Sequence, residues 1–221
     1  DIWVKAGAIA EPEAWSGMAH FLEHMIFKGS PNVMVGEFDW LIESTGGIAN
    51  AATSYDYAHF YLTTASAHFE QTLPCLADIL LRANIPDDEF IREREVVIEE
   101  IHSSHDDPDF IGYQALCQNA YEHHPYRRSI LGEKELLLEH TPNQMRCFHR
   151  TYYQPENMTI VIVGGIEQER ALALVHENFS QFSVRSECPP SRIAVEPPVV
   201  SIRRQELYLP RIEQSRLLMA W

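Results

Sequence analysis

The chain has 221 residues, with 17 Lys and Arg against 32 Asp and Glu, so its formal net charge is −15 at pH 7. Domains that bind nucleic acid usually present a basic face, so this balance argues against nucleic acid as a partner and allows a preference for basic partners. Hydrophobic residues make up 45% of the chain, which is ordinary for a globular protein. The chain contains no run of 18 or more apolar residues, so no membrane span is predicted.

The first residues, DIWVKAGA, have the pattern of the middle of a strand, and we expect further sequence to precede them. The sequence shows no basic segment followed by an apolar one, so it does not predict a signal peptide. The compartment therefore stays open. A cytoplasmic location of the bacterial type is the expectation, with the periplasm or an organelle as alternatives. The four cysteines lie far apart without C-x-x-C spacing, which excludes a cysteine-based metal knuckle.

The first half of the chain alternates between strand and helix signals, which Gly and Pro separate. A helix that ends near Phe27 is followed by Lys-Gly-Ser-Pro, a sequence that stops a helix. Pro74 lies inside a predicted helix and could kink it. The predicted elements are a strand over 2–9, helices up to 27 and over 37–44, a β-hairpin within 48–66, and helices over 68–83 and 85–105.

The second half is predicted to contain helices around 109–121 and 142–152, a buried strand within 157–165 and a helix over 167–180. Four prolines then predict an extended linker over 186–198, and two further strands are predicted over 199–208 and 215–221. Hairpins together with consecutive helices favour an α+β fold, a mostly antiparallel sheet covered by several helices. We expect an α+β domain over 1–185, the linker, and the first strands of a following domain over 199–221.

Two histidines and a glutamate lie within five positions of the first helix, in the sequence HFLEH. Relative to His20, Glu23 falls at about −60° and His24 at about +40° on the helical wheel, so the three share one face. Histidines one turn apart can bind one ion, and H-x-x-E-H is the inverted form of a known zinc-peptidase motif. The alternative is an amphipathic helix that carries two histidines by chance.

The predicted helix over 85–105 offers a third metal ligand. On its helical wheel, Glu100 and Glu93 fall near each other among Phe90, Val96 and Val97, whereas Glu99 falls on a polar face. An unpaired carboxylate on an apolar face is costly. Coordination of a metal would remove that cost, which favours Glu100 as the ligand and Glu93 as a residue that orients a ligand or water. The alternative is that the apolar face is misphased and both carboxylates are exposed.

These motifs belong to a recognisable pattern that covers essentially the whole chain. The sequence resembles the pitrilysin/insulinase-type (inverzincin) zinc metallopeptidases, in particular the branch of the mitochondrial processing peptidase. Glu100 follows His24 by 76 residues, which matches the family's spacing of metal ligands. The matching segments, in the family's order, are GMAHFLEHMIFKGS, GGIANAATSYDYAHFY, IREREVVIEEI, HPYRRSILG and YYQPENMTIVIVGGI.

The resemblance implies roles for individual residues. It makes His20, His24 and Glu100 ligands of one zinc ion per chain, Glu23 the general base and Glu93 a supporting second carboxylate. It also implies that an edge strand containing Asn50 and Ala51 binds the substrate backbone by adding a strand to the sheet. The alternative for that segment is a plain hairpin in which the side chain of Asn50 forms a turn.

The resemblance also implies a function and a partner. A zinc-dependent endopeptidase would hydrolyse short or unfolded peptides, basic or presequence-like ones among them, through a metal-activated water. Such enzymes enclose the substrate between two homologous halves of a clamshell, and the partner half supplies an Arg/Tyr pair for which this chain shows no matching segment. The second half would be part of the same protein or a subunit of a homo- or heterodimer. The alternative function is a non-catalytic binding or assembly subunit of a processing-peptidase-like complex.

Overall fold

A computed structural model describes residues 1–180, 193, 195–209 and 212–221. These residues form one four-stranded antiparallel sheet with helices packed against it, as the α+β prediction requires. The strands are β1 (Ile2–Val4), β2 (Ile48–Thr53), β3 (Ala58–Thr63) and β4 (Met158–Ile160), in the order β2-β3-β1-β4.

The helices are close to their predicted bounds because their start and stop signals are local. For example, Thr141 and Gln144 form a reciprocal capping box, with Pro142 in the first turn of its helix. The helices are α1 (Met18–Ile26), α2 (Glu37–Ser44), α3 (Phe69–Leu81), α4 (Asp87–Ser104), α5 (Pro108–Ala120), α6 (Lys134–Glu139), α7 (Pro142–Tyr152) and α8 (Gln168–Phe179). Among the described residues, no helix combines the length and apolar character needed to cross a bilayer.

The strand predictions were less accurate. β1 ends at Val4 and β4 at Ile160, although strands over 2–9 and within 157–165 were predicted. β1 lies between β3 and β4 and pairs with each over only three residues, so both ladders end where it ends. The strands predicted over 199–208 and 215–221 are wrong for the residues described there, which join no ladder. Most of the predicted linker over 186–198 lies outside the described residues, and the domain boundaries stay a prediction.

The hydrophobic core lies between the inner face of the sheet and the helices. Alternate residues of β1 and β3 are buried in this core. They are Ile2 and Val4 on β1 and Ala58 and Phe60 on β3. α1 lies at the centre of this core, and its neighbours α4 and α7 pack against it. A helix that is buried on most sides has little freedom to shift, which suits it to hold a site.

Candidate metal centre

α1 is anchored by its apolar side chains so that its polar residues face α4. Phe21, Leu22, Met25 and Ile26 are fully buried, and the ring centroid of Phe21 lies 4.6 Å from that of Phe90 on α4. The two helices therefore pack at the level of the H-x-x-E-H motif. Burial of these four side chains fixes α1 in the core.

The packing of α1 on α4 brings His20, His24 and Glu100 together. Among the described residues, these three form the group able to bind a metal, with ligand atoms that all lie within 4.8 Å of one another. The Nε2 atom of His20 lies 3.6 Å from Oε2 of Glu100, and the Nε2 atom of His24 lies 3.4 Å from the same oxygen. Two imidazole nitrogens and a carboxylate oxygen thus converge on one point.

The donor set fits a zinc ion. Ligand atoms at about 2.0–2.1 Å from a tetrahedral zinc are separated by roughly 3.4 Å. The two histidine nitrogens lie at 3.6 and 3.4 Å from Oε2 of Glu100, and no two of the three ligand atoms are more than 4.8 Å apart. Burial lowers the pKa of His20 to about 4, with the charge of Glu100 acting in the opposite direction. His20 is therefore a neutral imidazole, which is the form that binds a metal. A site with three protein ligands leaves a position open for water or substrate.

His24 is held from its other side by a chain of polar contacts. Its Nδ1 atom lies 3.0 Å from Oε1 of Glu93, and the second oxygen of Glu93 accepts a 2.7 Å contact from Nζ of Lys28. Burial raises the pKa of Glu93, but the hydrogen bonds from Lys28 and His24 outweigh it and leave that pKa below its usual value. Contacts of this kind, from a carboxylate to the second ring nitrogen, orient histidines in metal sites.

Glu23 lies on α1 between the two histidines and contacts the sheet. Its Oε2 atom accepts a 2.5 Å hydrogen bond from Oγ1 of Thr53, the last residue of β2. Burial raises the pKa of Glu23, partly offset by the bond from Thr53. A carboxylate beside metal ligands, with its pKa shifted toward neutrality, has the properties of a general base.

Asn50 and Ala51 lie in β2, at the edge of the sheet. In the part of the chain that the structure describes, β2 pairs with β3 and its other side pairs with no strand. The backbone N–H of Ala51 donates a 2.9 Å hydrogen bond to the side-chain oxygen of its neighbour Asn50. The same strand ends at Thr53, which contacts Glu23, so this edge ends beside α1.

Glu100 lies close to the two histidines, as the helical wheel predicted, but its side chain is not buried as the wheel implied. The buried face of α4 consists of Phe90, Val97, Ile98 and Ile101. Glu93 and Glu100 lie on the flank of that face that meets α1, and the side chain of Glu100 is 45% exposed. Val96, which was expected on the apolar face, is half exposed. The wheel was centred on Glu100, whereas the buried face is centred about 100° away from it.

Two contacts in this site were not predicted from the sequence. Lys28 was noted only for its place in the segment that ends α1, and Thr53 only as a strand residue. Lys28 lies four residues beyond His24, and Thr53 lies two residues beyond Ala51, on the same face of β2. Those spacings could have placed them near the motif, but their partners Glu93 and Glu23 became visible only in the fold.

Comparison with protein families now identifies the fold to which this site belongs. Residues 1–134 match the family model described as Insulinase (Peptidase family M16). The chain belongs to this family. Residues 140–221 match a second model of the same family, described as the Peptidase M16 inactive domain. The resemblance inferred from the motifs is thereby confirmed.

Relatives of this M16 chain include named proteases. It is 33% identical over 180 residues to the zinc protease PqqE of Helicobacter pylori, covering 81% of this chain and 40% of that protein. It is 30% identical over 196 residues to a probable mitochondrial-processing peptidase subunit beta of Arabidopsis thaliana, covering 89% and 37%. A crystal structure of a protease from Helicobacter pylori matches with a TM-score of 0.80 and 30% identity, covering 89% of this chain and 48% of that one. The chain thus spans about two-fifths of the length of these curated relatives.

Proposed function

We propose that the protein containing this chain is a zinc-dependent endopeptidase, and that this chain contributes its metal site and general base. The observation that carries the proposal is the position of Glu23. Its carboxylate lies on the helix that bears two of the three metal-binding residues and is hydrogen-bonded to the end of an open edge strand. A peptide added to that edge would run toward the group that must accept a proton.

The residues have distinct roles in this proposal. His20, His24 and Glu100 hold the zinc, which when bound polarises the scissile carbonyl and makes water a better nucleophile. Glu23 takes a proton from the attacking water and passes it to the leaving amine. Because water itself attacks the carbonyl, no covalent acyl-enzyme forms. Thr53 holds the carboxylate of Glu23 in position through its hydroxyl.

Substrate recognition in this proposal uses the backbone of β2. The Ala51 N–H bonds to the side chain of Asn50 in the absence of a peptide, and a peptide carbonyl would take the place of that side-chain oxygen. Only an extended peptide can add a strand to a sheet edge. The enzyme would therefore cleave short or unfolded peptides, and the net charge of −15 favours basic or presequence-like ones.

A second homologous half completes the enzyme in this proposal, either within the same protein or as another subunit. The chain covers about 40% of its relative in Helicobacter pylori, which leaves room for such a half. Substrate would be enclosed between the two halves, and activity assays therefore require the full-length protein together with any partner subunit.

Glu23→Gln in the full-length protein tests the catalytic role. We expect cleavage of unstructured peptides to be abolished while zinc stays bound, because the amide cannot accept a proton and the three metal-binding residues are unchanged. Glu43→Gln, at an exposed position on α2, is the matched control and should leave activity intact. Full activity in the Glu23→Gln variant would refute the assigned mechanism.

A non-catalytic binding or assembly subunit is the second candidate function. The match of residues 140–221 to a model described as an inactive domain is the observation that favours it. Metal analysis separates the two proposals. Zinc at well below one ion per chain, after purification without chelator, would favour the binding role.

A further inference from the structure

Glu11 is a buried acidic residue that the proposed chemistry does not use. It is 1% exposed and precedes α1 by several residues. Its two carboxylate oxygens accept separate hydrogen bonds from backbone N–H groups, one at 3.0 Å from Gly17 and one at 2.7 Å from Ala19. Burial of a carboxyl group costs free energy unless hydrogen bonds offset it. The two bonds to the first turn of α1 provide that compensation.

Glu11 supplies the hydrogen bonds that an N-cap side chain would normally make to the first turn of α1. The N-cap position is Gly17, which has no side chain to accept a hydrogen bond from the first turn. The first four N–H groups of a helix lack partners within it, and a capping oxygen normally satisfies one or more of them. Glu11 satisfies two N–H groups at this end from outside the helix.

The segment that carries Glu11 is itself fixed by distant residues. The Nη2 atom of Arg128 donates to the backbone oxygens of Ala8 and Glu11, at 2.9 and 3.1 Å. The hydroxyl of Tyr152 donates a 3.0 Å hydrogen bond to the backbone oxygen of Ala10. Glu11 is therefore a rigid support, and it fixes both the axial position and the rotation of the first turn of α1.

The two metal-binding histidines are oriented in different ways. The ring of His24 is held by the contact between its Nδ1 atom and Glu93. The Nδ1 atom of His20 is buried and has no hydrogen-bond partner among the described residues. The orientation of His20 must therefore come from its packing and its backbone, and its backbone directly follows Ala19, which Glu11 anchors.

We propose that Glu11 is a positioning residue for His20, with the role for this ligand that Glu93 has for His24. This inference rests on the proposed zinc site and adds a residue to it. It predicts that weakening the bonds of Glu11 lowers zinc affinity through His20 alone. A loss of about tenfold to a hundredfold is expected, because that is the usual effect of changing a residue that orients a metal ligand.

Glu11→Gln in the full-length protein is the test, because the amide keeps one acceptor oxygen and turns an N–H donor toward the second backbone N–H. Zinc dissociation constants are measured by competition with chelators of graded affinity, and stability by the midpoint of urea unfolding. Thr141→Ala removes the capping side chain of α7 and is the matched control. We expect both variants to unfold at lower urea, and only Glu11→Gln to lose zinc affinity.

Double variants then show which histidine is affected. In a His20→Ala background, Glu11→Gln should cause no further loss of zinc affinity, whereas in a His24→Ala background it should cause its full loss. Arg128→Lys, which loosens the support of Glu11, should give a smaller loss of the same kind, and it serves as the second variant if Glu11→Gln does not fold.

Three results would overturn the inference. Unchanged zinc affinity in the variants that fold would leave Glu11 as a structural cap only, and losses that add equally in both histidine backgrounds would refute a specific link to His20. A wild-type protein that binds no zinc would overturn the proposed function as well. That last result is read from the wild type before any variant is compared. Failure of the proposed zinc site can therefore be distinguished from failure of the proposed role of Glu11.

Discussion

Glu93→Gln is predicted to weaken zinc binding without removing a ligand. The two oxygens of Glu93 serve two partners, Nδ1 of His24 at 3.0 Å and Nζ of Lys28 at 2.7 Å. A glutamine is uncharged, so Lys28 loses its counter-charge in either orientation of the amide. It also keeps only one acceptor oxygen, so one of the two partners, His24 or Lys28, loses its hydrogen bond. Residues in this position usually contribute 10- to 100-fold to metal affinity, which corresponds to about 1.4–2.7 kcal/mol.

Competition between the full-length protein and a chelator of known zinc affinity measures this loss. Glu95→Gln is the matched control, because Glu95 lies on the same helix with a side chain that is 66% exposed. The control should bind zinc as the wild type does. An unchanged zinc dissociation constant in Glu93→Gln would refute the view that Glu93 orients His24, and a loss equal to that of His24→Ala would mean that it acts as a ligand itself.

Three further predictions concern stability. Burial holds the pKa of His149 at about 4 in the folded protein, below its usual 6.5, so the unfolded chain binds more protons between these values. The contribution of His149 to stability is then full above pH 6.5 and falls by up to about 3 kcal/mol toward pH 4, and His149→Gln should flatten this part of a series of urea unfolding curves. Phe21→Ala should cost about 3–5 kcal/mol in urea unfolding, because Phe21 is fully buried. Gly17→Ala should cost at least about 1–2 kcal/mol by the same measurement, because Gly17 has φ +88° and an added Cβ would lie 2.7 Å from the Leu131 carbonyl oxygen. Transitions that match the wild type would contradict each of these predictions.

The helices were predictable from sequence wherever the signals were local. α2 and α7 have the predicted bounds, because glycines surround α2 and a capping box with Pro142 begins α7. α6, only six residues long, was missed because so short a segment shows little periodicity. The ends of β1 and β4 were not predictable, because a strand ends where its partner ends, and that partner is far away in sequence.

The candidate site was predictable to the extent that its residues lie on two helices with known periodicity. His20, Glu23 and His24 share one face of α1 as expected, and Glu100 faces them from α4. The contacts of Thr53 with Glu23 and of Lys28 with Glu93 span 30 and 65 residues respectively and depend on how sheet and helices pack. Glu11 was missed for the same reason, because a cap supplied from outside the helix has no local sequence signature.

The zinc content of the purified protein shows whether His20, His24 and Glu100 form a metal site. The full-length protein, purified without chelator, is analysed for zinc per chain beside Glu100→Gln and Glu99→Gln. Glu99 lies next to Glu100 with a side chain that is 79% exposed, so it is a control for a lost charge on the same helix. We expect one zinc per chain in the wild type and in Glu99→Gln, with a clear loss in Glu100→Gln. Full zinc content in Glu100→Gln, or none in the wild type, would contradict this expectation.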